Sequence, residues 1–313
     1  MDLIRAVAFL LGAAAAAAAA LAVCGAFSDR LDIFAQASPL WFAMGLAALI
    51  LQLLAGSERW TLAPALVAMA IAALLIGPDV VAGFAAPRAA PAGQTLKLIQ
   101  FNVWDRNRDP AATARWILSQ DPDIVVLEEL GGGEVPAALA ARYPNRTPCE
   151  PTCATIILSK APPTAGAAMD WPGLGSRHEG AWASFGRGQD AFTVAGVHYK
   201  WPIPPGPQRD QARRFADGLA GFDRRSLIVA GDFNMSPWSW ALKRQDARLG
   251  IPRLTHALFT WPAGPISHWR LNLPFAILAI DHIYAGPAWK VVSVSRGPVL
   301  GSDHYPIVTV LTR

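Results

Sequence analysis

Charge is scarce in this chain. Of 313 residues only 16% are Asp, Glu, Lys or Arg, while 53% are hydrophobic. That balance is too apolar for an ordinary soluble protein. Cysteine is scarcer still, with three in all. Cys149 and Cys153 form one C-x3-C pair, and no second ligand pair accompanies it, which argues against a thiolate metal site. No internal repeat appears, and an alanine tract is the one low-complexity segment. No basic loop stands out beyond "RDQARRF" and "DRR", which helix faces explain, so nothing specific supports DNA recognition.

The lack of charge is local. Residues 1–85 hold five acids (Asp2, Asp29, Asp32, Glu58, Asp79) and three bases (Arg5, Arg30, Arg59). The rest carries 24 bases against 18 acids and reads as a mildly basic soluble domain. "LIRAVAFLLGAAAAAAAALAVCGAF", "SPLWFAMGLAALILQLLAG" and "WTLAPALVAMAIAALLIGPDVVAGF" predict three transmembrane helices near 4–27, 38–56 and 60–84. Each run is long enough for a hydrocarbon core of about 30 Å. No polar stripe interrupts them, as an amphipathic soluble helix would require. The second and third runs argue for a multispanning anchor over a cleaved signal peptide. Arg5 and Arg59 would share one side, with Arg30 on the other. The positive-inside rule then puts the N-terminus inside and, after three crossings, the second domain outside. There Cys149 and Cys153 could close a small disulfide, unrelated thiols being the alternative. "APRAAPAGQ", 86–94, reads as a short, stiff linker.

From residue 95 to 313 the pattern changes to short strands with fewer helices, an α+β sandwich. Apolar runs repeatedly end in polar groups: "LKLIQFNVW" at Asn102, "DIVVLEEL" at Glu128 and Glu129, "AFTVAGVHY" at His198. "SLIVAGDFN" ends at Asp232 and Asn234, "LAIDHIYAG" carries Asp281 and His282, and "GSDHYPI" carries Asp303 and His304. Each alone could be a turn former or a satisfied core residue. Together they would be wasteful for packing, because buried charges cost several kcal/mol unless paired or bound to a cation.

In this order and character these motifs resemble the endonuclease/exonuclease/phosphatase (DNase I-like) superfamily, over about residues 95–313. The apolar segments ahead of the domain, and "TWP" at Thr260–Pro262, look like a membrane-anchored bacterial branch. The resemblance implies a four-layered α/β sandwich, here preceded by three transmembrane helices, with its site at one edge of the sheets. It implies a divalent-metal-dependent hydrolase of phosphodiester or phosphomonoester bonds. Mg²⁺ is the expected cofactor, Mn²⁺ the second candidate, because oxygen ligands suit a hard cation. By the same resemblance Glu129 is the principal metal ligand, with Asn102 and Asp303. Glu128 takes the helper position, since adjacent strand residues face opposite sides.

His304 is the expected proton-transfer group, oriented by Asp281. The family alternative gives water activation to Asp232 and phosphate binding to His304. Asn234 should orient the nucleophile or a phosphate oxygen, and His198 should donate to a phosphate oxygen or act as general acid. Tyr199 and Lys200 could touch substrate, whereas His178, His256, His268 and His282 read as structural or surface groups. The substrate could be a nucleic acid, a phospholipid or a small phosphodiester, and no protein partner is evident. Trp201, Trp238, Trp240, Trp261 and Trp269 in loops keep open a lipid phosphodiesterase resembling bacterial sphingomyelinases. A non-catalytic binding domain is the remaining alternative, opposed by the complete set of site residues. The expected location is a bacterial inner membrane, multi-pass, with the catalytic domain on the periplasmic side.

Overall fold

The computed structural model describes the chain except residues 1, 87, 91–92, 150–151, 170–178, 267–270 and 273–274; for 265–266 and 271–272 it describes the backbone alone. His178, His268 and Trp269 therefore lie outside the described residues. The chain forms two compact units.

The first unit comprises Met1–Ala85 together with Pro202–Gly206 and Met235–Arg244. Its long helices are α1 (Asp2–Cys24), α3 (Ser38–Leu54) and α4 (Ala63–Ala85), with a short α2 (Asp32–Gln36) between the first two. They pack through small residues. Gly12 lies against Ala48 and Ala65, and Gly45 against Ala65, Ala68 and Met69. Arg5 donates to the carbonyls of Ala55 and Gly56, so α1 runs antiparallel to α3 and in the same direction as α4. Among the described residues two helices, not the three expected, are long and apolar enough to cross a membrane: Asp2–Cys24 and Arg59–Ala85. The middle one has 17 residues, because Pro39 sits in its first turn and the helix stops at Leu54.

The second unit, Ala86–Trp201, Pro207–Asn234 and Gln245–Arg313, holds two mixed sheets flanked by helices. Its strands are β1 (Thr95–Asn102), β2 (Ile124–Glu128), β3 (Asn145–Arg146), β4 (Thr155–Ser159), β5 (Ala165–Met169), β6 (Gly180–Phe185), β7 (Phe192–His198) and β8 (Leu227–Asp232). β9 (Pro265–Ile266), β10 (Leu271–Asn272), β11 (Asp281–Ala285), β12 (Lys290–Arg296) and β13 (Ile307–Thr312) follow. The six-stranded sheet has the order β12-β13-β1-β2-β4-β3 and the five-stranded sheet β11-β8-β7-β6-β5, with β9 and β10 a separate pair. Each large sheet contains one parallel pair: β1–β2, joined through α5 (Pro110–Gln120), and β7–β8, joined through α7 (Pro205–Gly218). α6 (Glu134–Leu139) and α8 (Trp240–Leu249) complete the helices.

Period-two alternation assigns the faces. Leu98, Ile124 and Val126 meet Ala183, Val194, Ile228 and Ile283 in the core between the sheets. Ile99, Phe101, Val125 and Leu127 face the other way, onto Ala114 and Ile117 of α5 and Leu139 of α6. Asp109 starts α5 as expected of an N-cap, accepting from the Ala112 amide at 2.8 Å. The stretch read as a linker is partly bound: Ala89 donates to the Val291 carbonyl at 2.7 Å.

Candidate active site

Strand register gathers the polar residues. Asn102 pairs with Glu128 at the ends of β1 and β2, and His198 with Asp232 at the ends of β7 and β8. Asp281 opens β11 directly opposite Asp232. Backbone geometry then turns the chain out of the sheets. Glu129 and Asn234 both have positive φ, +50° and +49°, a conformation that non-glycine residues adopt mostly at turns and functional sites. Gly231 is required by close approach, since a Cβ there would lie 1.9 Å from the Val197 carbonyl oxygen.

Among the described residues two overlapping groups could each hold a metal ion: Glu129, His198 and Asp232, and Asp232, Asp281 and His304. Asp232 belongs to both. Its Oδ2 lies 3.0 Å from Asn102 Nδ2, 3.7 Å from His198 Nε2 and 3.6 Å from His304 Nε2. Asn102 also donates to Glu129 at 3.0 Å, while its own oxygen accepts the Trp104 amide. Asp303 belongs to neither three-residue group. Its Oδ2 accepts from Trp261 Nε1 at 3.2 Å, and its buried Oδ1 has no hydrogen-bond partner. Asn234 donates its amide nitrogen to the Tyr199 carbonyl and its backbone N–H to Asp232, each at 2.8 Å.

His304 Nδ1 and Asp281 Oδ2 are 2.9 Å apart. Burial opposes the imidazolium, but Asp281 and Asp232 outweigh it and hold the His304 pKa well above the usual imidazole value. Burial likewise opposes charge on Asp281, yet His304 holds its carboxyl below the usual range. Burial, reinforced by Asp281, pushes Asp232 up to about 6 against the pull of both histidines. Glu129 is lowered: burial is overcome by His198 and Asn102. Such a set of carboxylates with an orphaned His198 Nε2 and Asp303 Oδ1 fits a divalent cation, which would satisfy groups that otherwise repel one another.

The structure departs from several expectations. Glu128 does not face away from this cluster. It lies on the inner face with Gln100, whose Nε2 donates to Glu128 at 3.1 Å and to Asp281 at 2.9 Å. Strict alternation does not separate the two acids because Glu129 has left the strand. Tyr199 is fully buried, with its hydroxyl accepting from Gln245 at 2.9 Å, so it is not poised to touch substrate. Lys200 is paired with Glu179. His282 is a core residue, 3.0 Å from the Thr255 hydroxyl. Trp238 and Trp261 are buried, whereas Trp201 is exposed.

Sequence reasoning missed several supporting groups. Gln100 shares Asn102's strand parity and could have been found from it. Ser302 bonds the Asn102 carbonyl at 2.6 Å and accepts the His304 amide at 3.0 Å. Thr260 Oγ1 accepts the Asp281 amide at 3.4 Å. The Glu179–Gln211 contact at 2.6 Å, with Gln211 also on the His198 carbonyl at 2.8 Å, had no local signal.

Fold and site together define a metal-dependent hydrolase of phosphate esters. The chain belongs to the Endonuclease/Exonuclease/phosphatase family, whose sequence profile matches residues 99–304. No curated protein sequence matches it. Among solved structures it is similar to sphingomyelinase C from Streptomyces griseocarneus, at 16% identity and a TM-score of 0.54 over 70% of this chain and 99% of that one. It is similar to a Staphylococcus aureus beta toxin mutant with bound magnesium ions, at 14% identity and 0.53, covering 69% and 99%. D. rerio TDP2 complexed with a single-strand DNA product matches at 16% and 0.54, covering 71% and 100%. At these identities the likeness concerns the fold.

Proposed function

We propose that this chain is a membrane-anchored, Mg²⁺-dependent phosphodiesterase in which Glu129 is the principal metal ligand and Asp232 activates water. The observation that supports this reading best is Asp232 Oδ2, within 3.7 Å of both His198 and His304. Glu129 and Asp303, with Asn102 beside them, would hold the cation. When bound, the cation neutralises the phosphate charge that repels an incoming nucleophile.

The protein groups divide the remaining work. A His304 held protonated by Asp281 is a donor, not a base, and suits a non-bridging phosphate oxygen. That leaves Asp232 to accept the proton of the attacking water. His198 Nε2, without a hydrogen bond but 3.4 Å from Glu129, suits donation to the phosphate or the leaving oxygen. Asn234 orients the same phosphate from its strained turn.

Membrane anchoring is supported by the way the helical unit packs. The inward residues of α1 and α4 are mostly small, Leu75 being the large exception, while Leu3, Leu10, Leu54, Leu74 and Phe84 are each at least 66% exposed. A soluble protein would rarely display so much apolar surface. Because α1 and α4 run the same way, Arg5 and Arg59 fall at one end of the unit, which favours the cytoplasmic side for that end. The catalytic unit then lies on the opposite, periplasmic side of a bacterial inner membrane. The disulfide between Cys149 and Cys153, with Cα atoms 5.3 Å apart, suits that oxidising compartment. The same apolar surface favours a phospholipid headgroup as a second substrate reading beside nucleic acid and small diesters.

The test is hydrolysis by the full chain in detergent and in vesicles, assayed with bis-p-nitrophenyl phosphate, single-stranded DNA and phospholipid. Mg²⁺ should restore activity removed by chelation, and Glu129→Gln should abolish that restoration. Full activity in chelator would overturn the metal assignment. A reporter fused after residue 90 that works only in the cytoplasm would reverse the topology.

A further inference from the structure

The residues that follow Asn234 belong with the N-terminal helices: Met235–Arg244 clusters in the helical unit. The bonds are specific. Asp32 accepts two amides at the start of α8, Trp240 at 2.8 Å and Ala241 at 2.7 Å. These are N–H groups that a helix cannot satisfy internally. Gln36 Oε1 accepts the Ser236 amide at 2.6 Å, and the Gln36 carbonyl accepts from Trp238 Nε1 at 2.8 Å. Trp240 Nε1 donates to the Ala22 carbonyl at 2.9 Å, and Arg244 pairs with Asp29 at 2.8 Å. Asp32, Gln36, Ser236 and Trp238 are all buried. Such bonds are not screened by water, and losing one partner strands a buried group.

We infer that Asp32 and Gln36 are positioning residues for the phosphoesterase: they fix Ser236–Ala241 and, through the single peptide bond from Met235, the strained backbone of Asn234. The local backbone explains the need. Asn234 holds φ +49°, which persists only where its surroundings over-determine it. Its amide and side-chain bonds to Asp232 and Tyr199, and Gln208 Nε2 on its carbonyl at 3.0 Å, hold that turn, and the contacts of Asp32 and Gln36 hold the chain that leaves it. The inference rests on the phosphoesterase reading for its kinetic consequence, but not for its structural one.

The test compares the full-length protein with Asp32→Ala, Asp32→Asn and Gln36→Ala, and with Arg30→Gln at a neighbouring exposed position as control. Two readouts are taken on each: kcat and KM with bis-p-nitrophenyl phosphate and Mg²⁺, and peptide-level hydrogen exchange. Asp32→Ala should lower kcat by roughly tenfold to a hundredfold, the scale of a misplaced catalytic group, with KM within about twofold. Asp32→Asn, keeping one acceptor, should fall between it and the wild type, and Gln36→Ala should act in the same direction. Arg30→Gln should match the wild type. Exchange should quicken at Ser236–Ala241 and also at Phe233–Asn234, while β7 stays protected. Unchanged kcat in Asp32→Ala with a folded protein overturns the inference. So does faster exchange confined to Ser236–Ala241, even if no substrate were turned over. Failure of the wild type to hydrolyse any diester would instead count against the functional reading, leaving the exchange result to decide this one.

Discussion

On the long helices of the helical unit mostly small residues face inward and large apolar ones outward, whereas the core between the sheets of the sandwich unit is built largely on Leu, Ile and Val. Ala8, Gly12, Ala15, Ala19 and Ala22 make the buried face of α1, and Ala65, Ala68 and Ala72 that of α4. Between the sheets the buried residues are Leu98, Val126, Ile228 and Ile283. Hydrophobic burial drives the second arrangement but cannot drive the first if the surroundings are hydrocarbon, where close backbone approach is what holds helices together. The units also treat buried polarity differently. The sandwich concentrates carboxylates at one set of strand ends, where histidines offset their repulsion and a cation would offset the rest. The helical unit uses its buried Asp32 and Gln36 singly, each on backbone amides.

The largest effect should come from breaking the sandwich's charge cluster. His304→Ala should lower kcat by several orders of magnitude with little change in folding. Asp281→Asn should cost less, leaving the ring present but unanchored. Because the two act as a unit, the double mutant should be barely worse than His304→Ala. Losses that simply multiply would separate them. The pair also predicts a titration. The folded His304 pKa is raised above 6.5, so the stabilisation it contributes is complete below that value and is lost as pH rises through the raised pKa. Proton NMR of the imidazole in chelator should find it still charged at neutral pH, and Asp281→Asn should bring the midpoint down.

Next in size is the pair of adjacent acids. Glu129→Gln should weaken metal binding and rate together, read by calorimetry with Mg²⁺ and by kcat. Glu128→Gln should cost little, for a reason the strand pattern does not supply. Burial, with Asp281 and Asp232 nearby, pushes the Glu128 carboxyl well above its usual pKa, so an uncharged amide resembles what is already there. Glu128→Ala should instead destabilise by about 1–3 kcal/mol, stranding Gln100. Equal loss of metal affinity in Glu128→Gln and Glu129→Gln would mean that both acids reach the ion.

These two acids show how far the sequence was legible. Apolar runs ending at Asn102, Glu129, His198 and Asp232, and Asp281 at the start of its own run, located the strand ends, because alternation and burial are written in adjacent residues. The expected β1, β2, β7, β8 and β11 are all present. The side each acid faces was not legible, because the positive φ at Glu129 depends on tertiary context. β5 and β6 went unrecognised, as "AGAAM" and "GAWASF" carry little apolar bulk. Nor could composition reveal that Met235–Arg244 belongs with the helices, since the partners Asp32 and Gln36 lie some 200 positions away. Long-range hydrogen bonds leave no periodic trace.

The helical unit offers a smaller effect. A Cβ at Gly12 would already lie 3.2 Å from the Ala65 amide nitrogen and 3.4 Å from the Ala48 methyl. Gly12→Leu should therefore destabilise the bundle by about 1–3 kcal/mol through overpacking, seen as a lower melting temperature in detergent. An unchanged melting point would mean that α1 does not pack through this face.

The smallest effect separates the two units most directly. Leu74 on α4 is 77% exposed and Leu98 on β1 fully buried. Leu98→Ala removes a core side chain and should cost about 2–5 kcal/mol. Leu74→Ala should change stability in lipid by less than about 0.5 kcal/mol, since surface substitutions away from special features stay within that range. In water the same leucine would be a liability, and Leu74→Ser should raise the solubility of detergent-free protein. In vesicles the direction should invert: Leu74→Ser places a hydroxyl in hydrocarbon and should weaken membrane retention on carbonate extraction, while Leu74→Ala should not. If Leu74→Ser left retention unchanged and Leu74→Ala melted at markedly lower temperature, Leu74 would be packed against protein, and the inside-out packing assigned to this unit would fail.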